Sequence, residues 1–252
     1  MARLEGVIFD LGSTLIRFRG EWPEVLGRGR AAAAAWLIDS GMGLDPASFS
    51  KDLHQAFLQN FEERRKDHRE RASRVILREV LAAHGVSDIG EAEVREALRR
   101  LYAPSEACWS AVPGVHEVLD RVAGMGKRTG LLSNASDVEN VERLIAGAGL
   151  DGRFDPIVIS AAAGIRKPTP TLFLDIVRRW ELDPGSAVMV GDMLAEDILG
   201  AQRAGLHQIW VRGEADPAFN DEFLDQVHPE VVVDSLSQVP DAIRSIETTI
   251  PG

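Results

Sequence analysis

The sequence predicts an α/β protein in which a doubly wound parallel sheet is interrupted by an inserted all-helical domain. From residue 104 onward, short apolar runs alternate with helical segments of roughly ten residues, which is the pattern of parallel strands joined by crossover helices. The apolar runs are continuous stretches of Val, Ile and Leu, as expected for strands that are covered on both faces. Between residues 21 and 101, by contrast, helical periodicity dominates.

The first predicted strand, residues 6–9, is an apolar run that ends at Asp10. Residues 16–20 alternate apolar and cationic side chains and could form a short hairpin arm. Pro104 begins the connection into the alternating part of the chain. Further strands are predicted at residues 129–132, 157–159, 187–190, 207–211 and 231–233. Further helices are predicted at residues 115–123, 138–148, 171–179, 195–204 and 239–246.

The inserted region is predicted to be helical throughout. Residues 48–78 contain neither proline nor glycine, and the apolar spacing within them is that of an amphipathic helix. The charge-dense run at residues 61–74 is interpreted as a solvated helix with ion pairs three and four residues apart. We therefore predict a core domain at residues 1–19 and 104–252 and a helical cap domain at residues 20–103.

The composition excludes several classes of function. The chain carries a net charge of -11, which repels nucleic-acid backbones, so no nucleic-acid partner is expected. Its longest apolar run, residues 31–38, is far shorter than a membrane span, and no signal-like segment precedes Asp10. The one cysteine, Cys108, allows no intramolecular disulfide. We predict a cytoplasmic protein without a membrane partner, either a monomer or a homodimer.

Polar and charged side chains follow several of the predicted strands, directly or in the next loop. They are Asp10, Ser133, Asn134, Lys167, Asp192 and Asp197. Each has an ordinary structural interpretation. The polar and acidic residues could be turn or cap residues, a carboxylate such as Asp197 is favourable in the first turn of a helix, and Lys167 could be a solvated lysine before a helix-starting proline. However, ligands bind beyond the carboxyl ends of the strands in open parallel sheets. We therefore expect these side chains to converge on one rim and to form a functional site.

The chemistry of this set favours a phosphoryl-transfer site. Asp10 and Asp192 would repel each other unless a cation lay between them, and oxygen ligands without His or Cys favour Mg²⁺. The main-chain carbonyl of Gly12 could supply another oxygen, and Asp197 could act as a ligand or hold a metal-bound water. Together with Lys167, such a site can accept a phosphoryl group. A carboxylate can attack the phosphorus, and the aspartyl-phosphate that forms can then be hydrolysed.

Motifs around these residues occur in an order that resembles the haloacid dehalogenase superfamily, in particular its Mg²⁺-dependent phosphatases with a helical cap inserted after the first strand. The motifs are Phe9-Asp10-Leu11-Gly12-Ser13-Thr14-Leu15, Leu132-Ser133-Asn134, Gly164-Ile165-Arg166-Lys167-Pro168, and Val190-Gly191-Asp192 through Glu196-Asp197. The resemblance implies a Rossmann-like core, Mg²⁺ as cofactor and a small phosphorylated substrate.

The resemblance also implies a role for each motif residue. Asp10 is the nucleophile, and Lys167 neutralises charge on Asp10 and on the phosphoryl oxygens. Ser133, with Asn134 beside it, and Lys167 bind the phosphoryl group. The metal ligands are expected to be Asp10, the main-chain oxygen of Gly12, Asp192 and, through water, Asp197.

Gly12 departs from the family pattern. Phosphatases of this family usually carry a second Asp two residues after the nucleophile, as general acid for the leaving group and as base for the attacking water. The metal contact uses the main chain and survives, but the proton-transfer group is absent. General acid–base catalysis contributes about 10²–10⁴-fold. We therefore expect a preference for leaving groups that need little protonation, such as anomeric, acyl or aryl phosphates.

Three alternatives stay open. A 2-haloacid dehalogenase also lacks the second Asp but needs no Mg²⁺. A phosphonate-cleaving relative needs a cap lysine that forms a Schiff base, and Lys51 and Lys66 are the only lysines of the predicted cap. A non-catalytic module could bind Mg²⁺ and a phosphorylated ligand, or a protein partner, without turnover, although Asp10 and Lys167 argue against it because pure binding does not require a nucleophile.

Overall fold

The computed structural model describes residues 3–214 and 217–249. Its strands are β1 (Gly6–Phe9), β2 (Ile16–Phe18), β3 (Trp109–Ala111), β4 (Arg128–Ser133), β5 (Ile157–Ile159), β6 (Ala187–Gly191), β7 (His207–Val211) and β8 (Val231–Val233). Its α-helices are α1 (Trp22–Asp39), α2 (Pro46–Asp67), α3 (Ser73–Ala83), α4 (Glu91–Glu106), α5 (Val115–Gly124), α6 (Val138–Gly147), α7 (Ser160–Ala163), α8 (Pro170–Arg179), α9 (Leu199–Ala204) and α10 (Val239–Thr249).

The central sheet has six parallel strands in the order β5-β4-β1-β6-β7-β8. Successive residues of β1 point to opposite faces of this sheet. Val7 and Phe9 pack into the apolar cluster on one face, and Ile8 packs into the cluster on the other. Both clusters are buried, so the predicted doubly wound sheet, covered on both faces, is confirmed.

Helices α1 to α4 follow β2 and precede β3, and we call them the helical insert. They enclose an apolar cluster of their own, which includes Leu37, Phe49, Leu77 and Leu98. The division into domains at residues 20 and 103 stays a prediction. Among the helices of the described residues, none combines the length and the apolar composition that a membrane crossing requires.

The contact between α1 and α4 predicts opposite effects for two glycines of the same helix. A Cβ atom on Gly29 would lie 2.0 Å from the main-chain oxygen of Leu101, so Gly29→Ala must separate the helices, at a cost of about 1–3 kcal/mol. A Cβ atom on Gly27 would have no described atom within 4 Å, so Gly27→Ala should stabilise the protein by about 1 kcal/mol through helix propensity. Chemical denaturation of both variants measures the free energies of unfolding, and equal stabilisation would contradict the close helix contact.

Strand β3 was not predicted from the sequence. The extended arm expected at residues 16–20 is found as β2, but its partner is a distant segment and the two do not form a local hairpin. Strand β2 instead pairs antiparallel with β3, with Arg17 opposite Ser110 and Phe18 opposite Trp109. The segment Trp109–Ala111 contains no apolar run, so only the fold brings the two segments together. This ladder joins the two chain segments that enter and leave the helical insert.

The long helix expected across residues 48–78 is interrupted. Helix α2 ends at Asp67 with His68 in the left-handed conformation (φ 55°), and α3 begins at Ser73. The linker binds the core through main-chain bonds from Glu70 N to Gly164 O (3.1 Å) and from Arg166 N to His68 O (3.1 Å). Tertiary contacts therefore override the helical pattern, and the charge-dense run is not one solvated helix.

Two further helix boundaries differ from the predictions. Helix α4 continues through Pro104 to Glu106, so Pro104 does not begin the connection; the proline removes only its own N–H donor and not the rest of the helical ladder. The helix expected at residues 195–204 begins with a π-helical turn, Leu194–Ile198, which is followed by α9. Such turns are frequent at functional sites, and this one contains Asp197.

Candidate active site

Adjacent strands bring the predicted site residues to one edge of the sheet. Strands β4, β1 and β6 are neighbours, and their carboxyl ends carry Ser133, Asp10 and Asp192 respectively. The main-chain N–H of Asp10 donates to Val190 O of β6 at 2.9 Å, which fixes the nucleophile candidate against the next strand.

Lys167 reaches this edge from the loop before α8 and is buried, with 2% of its surface exposed. Its Nζ donates to Asp10 Oδ1 at 2.5 Å, to Asp197 Oδ1 at 2.6 Å and to Leu132 O at 3.1 Å. An ammonium has three N–H donors, so all of them are used. The structure thus excludes the interpretation of Lys167 as a solvated lysine before a proline.

Two buried carboxylates contact this ammonium, and a third, Asp192, lies beside them. Asp10, Asp192 and Asp197 each offer an oxygen, and these oxygens lie within 4.8 Å of one another. Both oxygens of Asp197 are engaged, because Oδ1 accepts from Lys167 and Oδ2 accepts from Met193 N at 3.0 Å. Asp197 is therefore better placed to orient Lys167, or a water, than to bind a cation directly.

Burial and mutual repulsion shift the pKa values of these groups. Burial raises the pKa of Asp10, and it raises the pKa of Asp197 to about 7, in each case against the opposing effect of Lys167. Burial, followed by the charges of Asp10 and Asp197, raises the pKa of Asp192 well above its usual range. Burial alone would lower the pKa of Lys167, but Asp10 and Asp197 outweigh burial and raise it. When all three carboxylates are ionised, they carry more negative charge than Lys167 neutralises, and an oxygen-binding cation such as Mg²⁺ fits the cluster.

Sequence reasoning missed the residues that hold Asp192 in place. Thr14 Oγ1 donates to Asp192 Oδ1 at 3.2 Å. The main-chain oxygen of Asp192 accepts from Trp210 Nε1 at 2.8 Å and from Asn220 Nδ2 at 2.9 Å. Asn220 also accepts from Leu194 N at 2.7 Å, so one side chain fixes the loop on both sides of Met193. No local sequence pattern marks Asn220, because its partners are distant in the chain.

The side chain of Asn134 contacts the main chain of Lys167. Its Oδ1 accepts from Lys167 N at 2.9 Å, and its Nδ2 donates to Lys167 O at 3.2 Å. The same Nδ2 donates to Glu196 Oε2 at 2.8 Å. The amide therefore holds the Lys167 main chain on both sides, while Ser133 lies buried at the end of β4.

An indole ring occupies the space beside Gly12. A Cβ atom on Gly12 would lie 3.3 Å from Cη2 of Trp109. Trp109 belongs to an aromatic cluster in which Phe18 and Trp22 stack with centroids 3.9 Å apart. The Trp109 ring packs edge-on against both, at 5.3 Å and 5.7 Å. The side on which a second acidic side chain would project is thus bordered by aromatic rings.

Comparisons with known proteins identify similar sequences. The family model described as haloacid dehalogenase-like hydrolase matches residues 4–205. The glyceraldehyde 3-phosphate phosphatase of Pyrococcus abyssi is 33% identical over 101 residues, which are 40% of this chain and 42% of that protein. The human haloacid dehalogenase-like hydrolase domain-containing protein 3 is 27% identical over 250 residues, 97% of this chain and 95% of that protein. The similarity to the archaeal phosphatase thus spans less than half of that relative.

Solved structures share the fold over nearly the whole chain. The 2-haloacid dehalogenase of Pseudomonas syringae has a TM-score of 0.64 and 25% identity, over 96% of this chain and 99% of that one. A HAD phosphatase of Thermococcus onnurineus has a TM-score of 0.63 and 18% identity, over 95% of this chain and 98% of that one. The second similarity shows the fold alone.

Proposed function

The chain belongs to the haloacid dehalogenase-like hydrolase family and is a hydrolase, and we propose that it is a Mg²⁺-dependent phosphatase of small phosphorylated metabolites. The observation that carries the proposal is the buried ion pair between Lys167 Nζ and Asp10 Oδ1 beside the cluster of three carboxylates. This combination supplies a nucleophile, a fixed positive charge and oxygen ligands for a cation. The relatives named as phosphatases support the same reaction.

In the proposed reaction, a carboxylate oxygen of Asp10 attacks the phosphorus of a phosphate monoester, and the bond from phosphorus to the ester oxygen breaks. The alcohol leaves, and an aspartyl-phosphate remains on Asp10. Water then attacks the phosphorus, the bond to Asp10 breaks, and inorganic phosphate leaves. Since Gly12 has no side chain, the leaving oxygen takes its proton from water.

The other residues of the site stabilise charge and hold geometry. Lys167 lies against the attacking carboxylate and neutralises charge that develops on the phosphoryl oxygens, and Ser133 donates its hydroxyl to one of them. We assign Asn134 to positioning Lys167. When bound, Mg²⁺ would neutralise further phosphoryl charge. Asp10, Asp192 and the Gly12 carbonyl would hold it, and Asp197 would act through a water.

We further propose that the helical insert is the cap domain, placed at residues 20–103, and that it covers the substrate during the reaction. The substrate is then a small metabolite that the closed site can enclose. The cytoplasmic location, and the monomeric or homodimeric state, stay predictions.

Release of inorganic phosphate from p-nitrophenyl phosphate tests the reaction, and a panel of phosphorylated metabolites then tests the substrate class. We expect turnover that depends on added Mg²⁺. If neither p-nitrophenyl phosphate nor any member of a broad panel is hydrolysed, the phosphatase proposal is wrong and a non-catalytic module is favoured.

A 2-haloacid dehalogenase is the second candidate, because a solved dehalogenase matches this chain at 25% identity over nearly its whole length. The cluster of three carboxylates favours the metal-dependent phosphatase over it. Halide release from 2-chloropropionate without added metal would establish the dehalogenase instead. The phosphonate-cleaving alternative has no support, because Lys51 and Lys66 are both exposed.

The repulsion within the carboxylate cluster predicts that Mg²⁺ stabilises the folded protein. Binding to the native state alone contributes about 2.7 kcal/mol when the metal is at 100 times its Kd, so thermal unfolding should shift to higher temperature. Asp192→Asn should abolish this shift. It should also leave the metal-free protein at least as stable, because a buried carboxylate with a strongly raised pKa is replaced by a neutral amide. Differential scanning fluorimetry with and without Mg²⁺ measures both effects.

The matched control is Asp151→Asn, since Asp151 is exposed and its removal should leave the shift unchanged. An equal Mg²⁺ shift in Asp192→Asn and in the unmodified protein would contradict the proposed metal ligands.

A further inference from the structure

A cluster of two arginines and two glutamates joins the helical insert to the core. The insert contributes Arg64 and Glu70, and the core contributes Arg166 and Glu196. We call these four residues the interface tetrad. Their formal charges cancel, and each side of the interface supplies one cation and one anion.

Glu70 lies at the centre of the tetrad, and none of its side-chain surface is exposed. Its Oε1 accepts from Ser136 Oγ at 2.6 Å, and its Oε2 accepts from Ser160 Oγ at 3.1 Å. Arg166 Nη1 lies 3.4 Å from Oε2, and Arg64 Nη1 lies 3.7 Å from Oε1. A buried carboxylate is tolerated only with such partners. The position of the insert at this contact is therefore specified by polar geometry.

The tetrad is connected to the catalytic lysine by hydrogen bonds. Arg166 Nη2 donates to Glu196 Oε1 at 2.9 Å. Glu196 Oε2 accepts from Asn134 Nδ2 at 2.8 Å, and Asn134 Oδ1 accepts from Lys167 N at 2.9 Å. Arg166 also precedes Lys167 in the chain, but we assign the coupling to the side-chain route through Glu196 and Asn134. Lys167 itself lies 2.5 Å from Asp10.

We propose that Glu70 and Arg166 are positioning residues, through which docking of the helical insert places Lys167 beside Asp10. The inference rests on the proposed phosphatase function, because it concerns the geometry of that same site. In the docked state the tetrad holds Asn134, and Asn134 holds the lysine main chain. When the insert is not docked, Arg166 loses the charge of Glu70 that faces its Nη1 at 3.4 Å, and the guanidinium is then less well held toward Glu196. The transition-state charge is then less well neutralised, and catalysis depends on the insert even for substrates that make no contact with it.

The proposal predicts which kinetic parameter changes. Glu70→Gln keeps the shape of the side chain and one of the two oxygens that accept from serines, but it removes the charge that both arginines face. A displacement of about 1 Å in a catalytic group can lower the rate about 10²-fold. We therefore expect kcat for p-nitrophenyl phosphate to fall at least about tenfold, with KM changed less than about twofold, because the effect is on transition-state stabilisation.

A double-variant comparison separates positioning from mere folding. Asn134→Ala cuts the connection between Glu196 and Lys167, so the effect of Glu70→Gln on kcat should largely vanish when Asn134 is already Ala. If the fold losses in kcat of Glu70→Gln and Asn134→Ala multiply in the double variant, the two residues act independently, because independent effects add in free energy. That result would overturn the proposal. Arg166→Lys is the second variant: it keeps the charge but lacks the guanidinium fork, and it should reproduce the loss in kcat.

Glu62→Gln is the matched control, since Glu62 is exposed on the same helix as Arg64, and its kcat should be unchanged. All assays are run well below the thermal midpoint of each variant. Absence of phosphate release by the unmodified chain would overturn the proposed function. Turnover by the unmodified chain that is unaffected by Glu70→Gln and Arg166→Lys would overturn only the positioning role.

Discussion

Asp10→Asn is expected to lower kcat for p-nitrophenyl phosphate by about 10³-fold or more, as removal of a catalytic nucleophile does in other hydrolases. The amide that replaces the carboxylate is not a competent nucleophile. It also removes the negative charge that faces Lys167 Nζ at 2.5 Å. The substitution preserves the shape of the side chain and the main-chain bond to Val190, so the fold should persist. Initial rates with saturating Mg²⁺ measure the loss.

Two controls accompany this variant. Its thermal unfolding should remain cooperative, which separates lost chemistry from lost structure, and Asp151→Asn, at an exposed position, should retain full activity. Rapid acid quenching during turnover should trap a phosphoryl group on the unmodified protein and none on the variant, and peptide mapping should locate it at Asp10. Turnover by Asp10→Asn within tenfold of the unmodified protein would exclude Asp10 as the nucleophile.

The convergence of Asp10, Asp192 and Lys167 could be predicted because it follows from topology. The carboxyl ends of parallel strands lie at the same edge of a sheet. The apolar runs that end at Asp10 and near Asp192 can be recognised from the sequence alone. Their mutual approach within a buried cluster needs only that β1 and β6 be neighbours. The burial of Lys167 could not be predicted, since a lysine before a proline has no local feature that separates a solvated side chain from a paired one.

The elements that the sequence did not reveal are those specified by distant contacts. The helix break at His68 contradicts the local pattern, which lacks both proline and glycine. The lost helical bonds are replaced by main-chain bonds between the linker and the core, such as Glu70 N to Gly164 O. Strand β3 is too short to carry a pattern and exists through its pairing with β2. Asn220 supports Asp192 from 28 residues away. In each case the decisive partner lies outside any local window, so periodicity and propensity give no signal.

Trp109 is the most consequential of these distant contacts, because its ring borders the space into which a side chain at position 12 would project. The sequence alone presents Gly12 as a missing acid. The structure adds that the vacant side is bordered by an indole, 3.3 Å from the Cβ atom that any other residue would bring. Phe18 and Trp22 pack against that indole and hold it in place. Restoring the acid therefore requires both a carboxylate and a shift of Trp109 by a few tenths of an ångström.

Gly12→Asp is expected to raise the hydrolysis of an alkyl phosphate about 10²-fold, the lower end of what general acid catalysis contributes. Aryl phosphate hydrolysis should change much less, because a phenolate leaves without prior protonation. The measurement is kcat/KM for ethyl phosphate and for phenyl phosphate in the unmodified protein and the variant. The ratio of the two values reports the proton transfer and cancels effects common to both substrates.

Gly12→Asn separates proton transfer from packing, because its side chain has nearly the shape of Asp but cannot act as an acid. It displaces Trp109 equally and should leave the ratio unchanged. Trp109→Phe removes the outer part of the indole, including Cη2, so combining it with Gly12→Asp should raise alkyl phosphate hydrolysis further than Gly12→Asp alone. If Gly12→Asn shifts the ratio as much as Gly12→Asp, the gain comes from the altered aromatic wall and the leaving-group explanation of Gly12 is wrong.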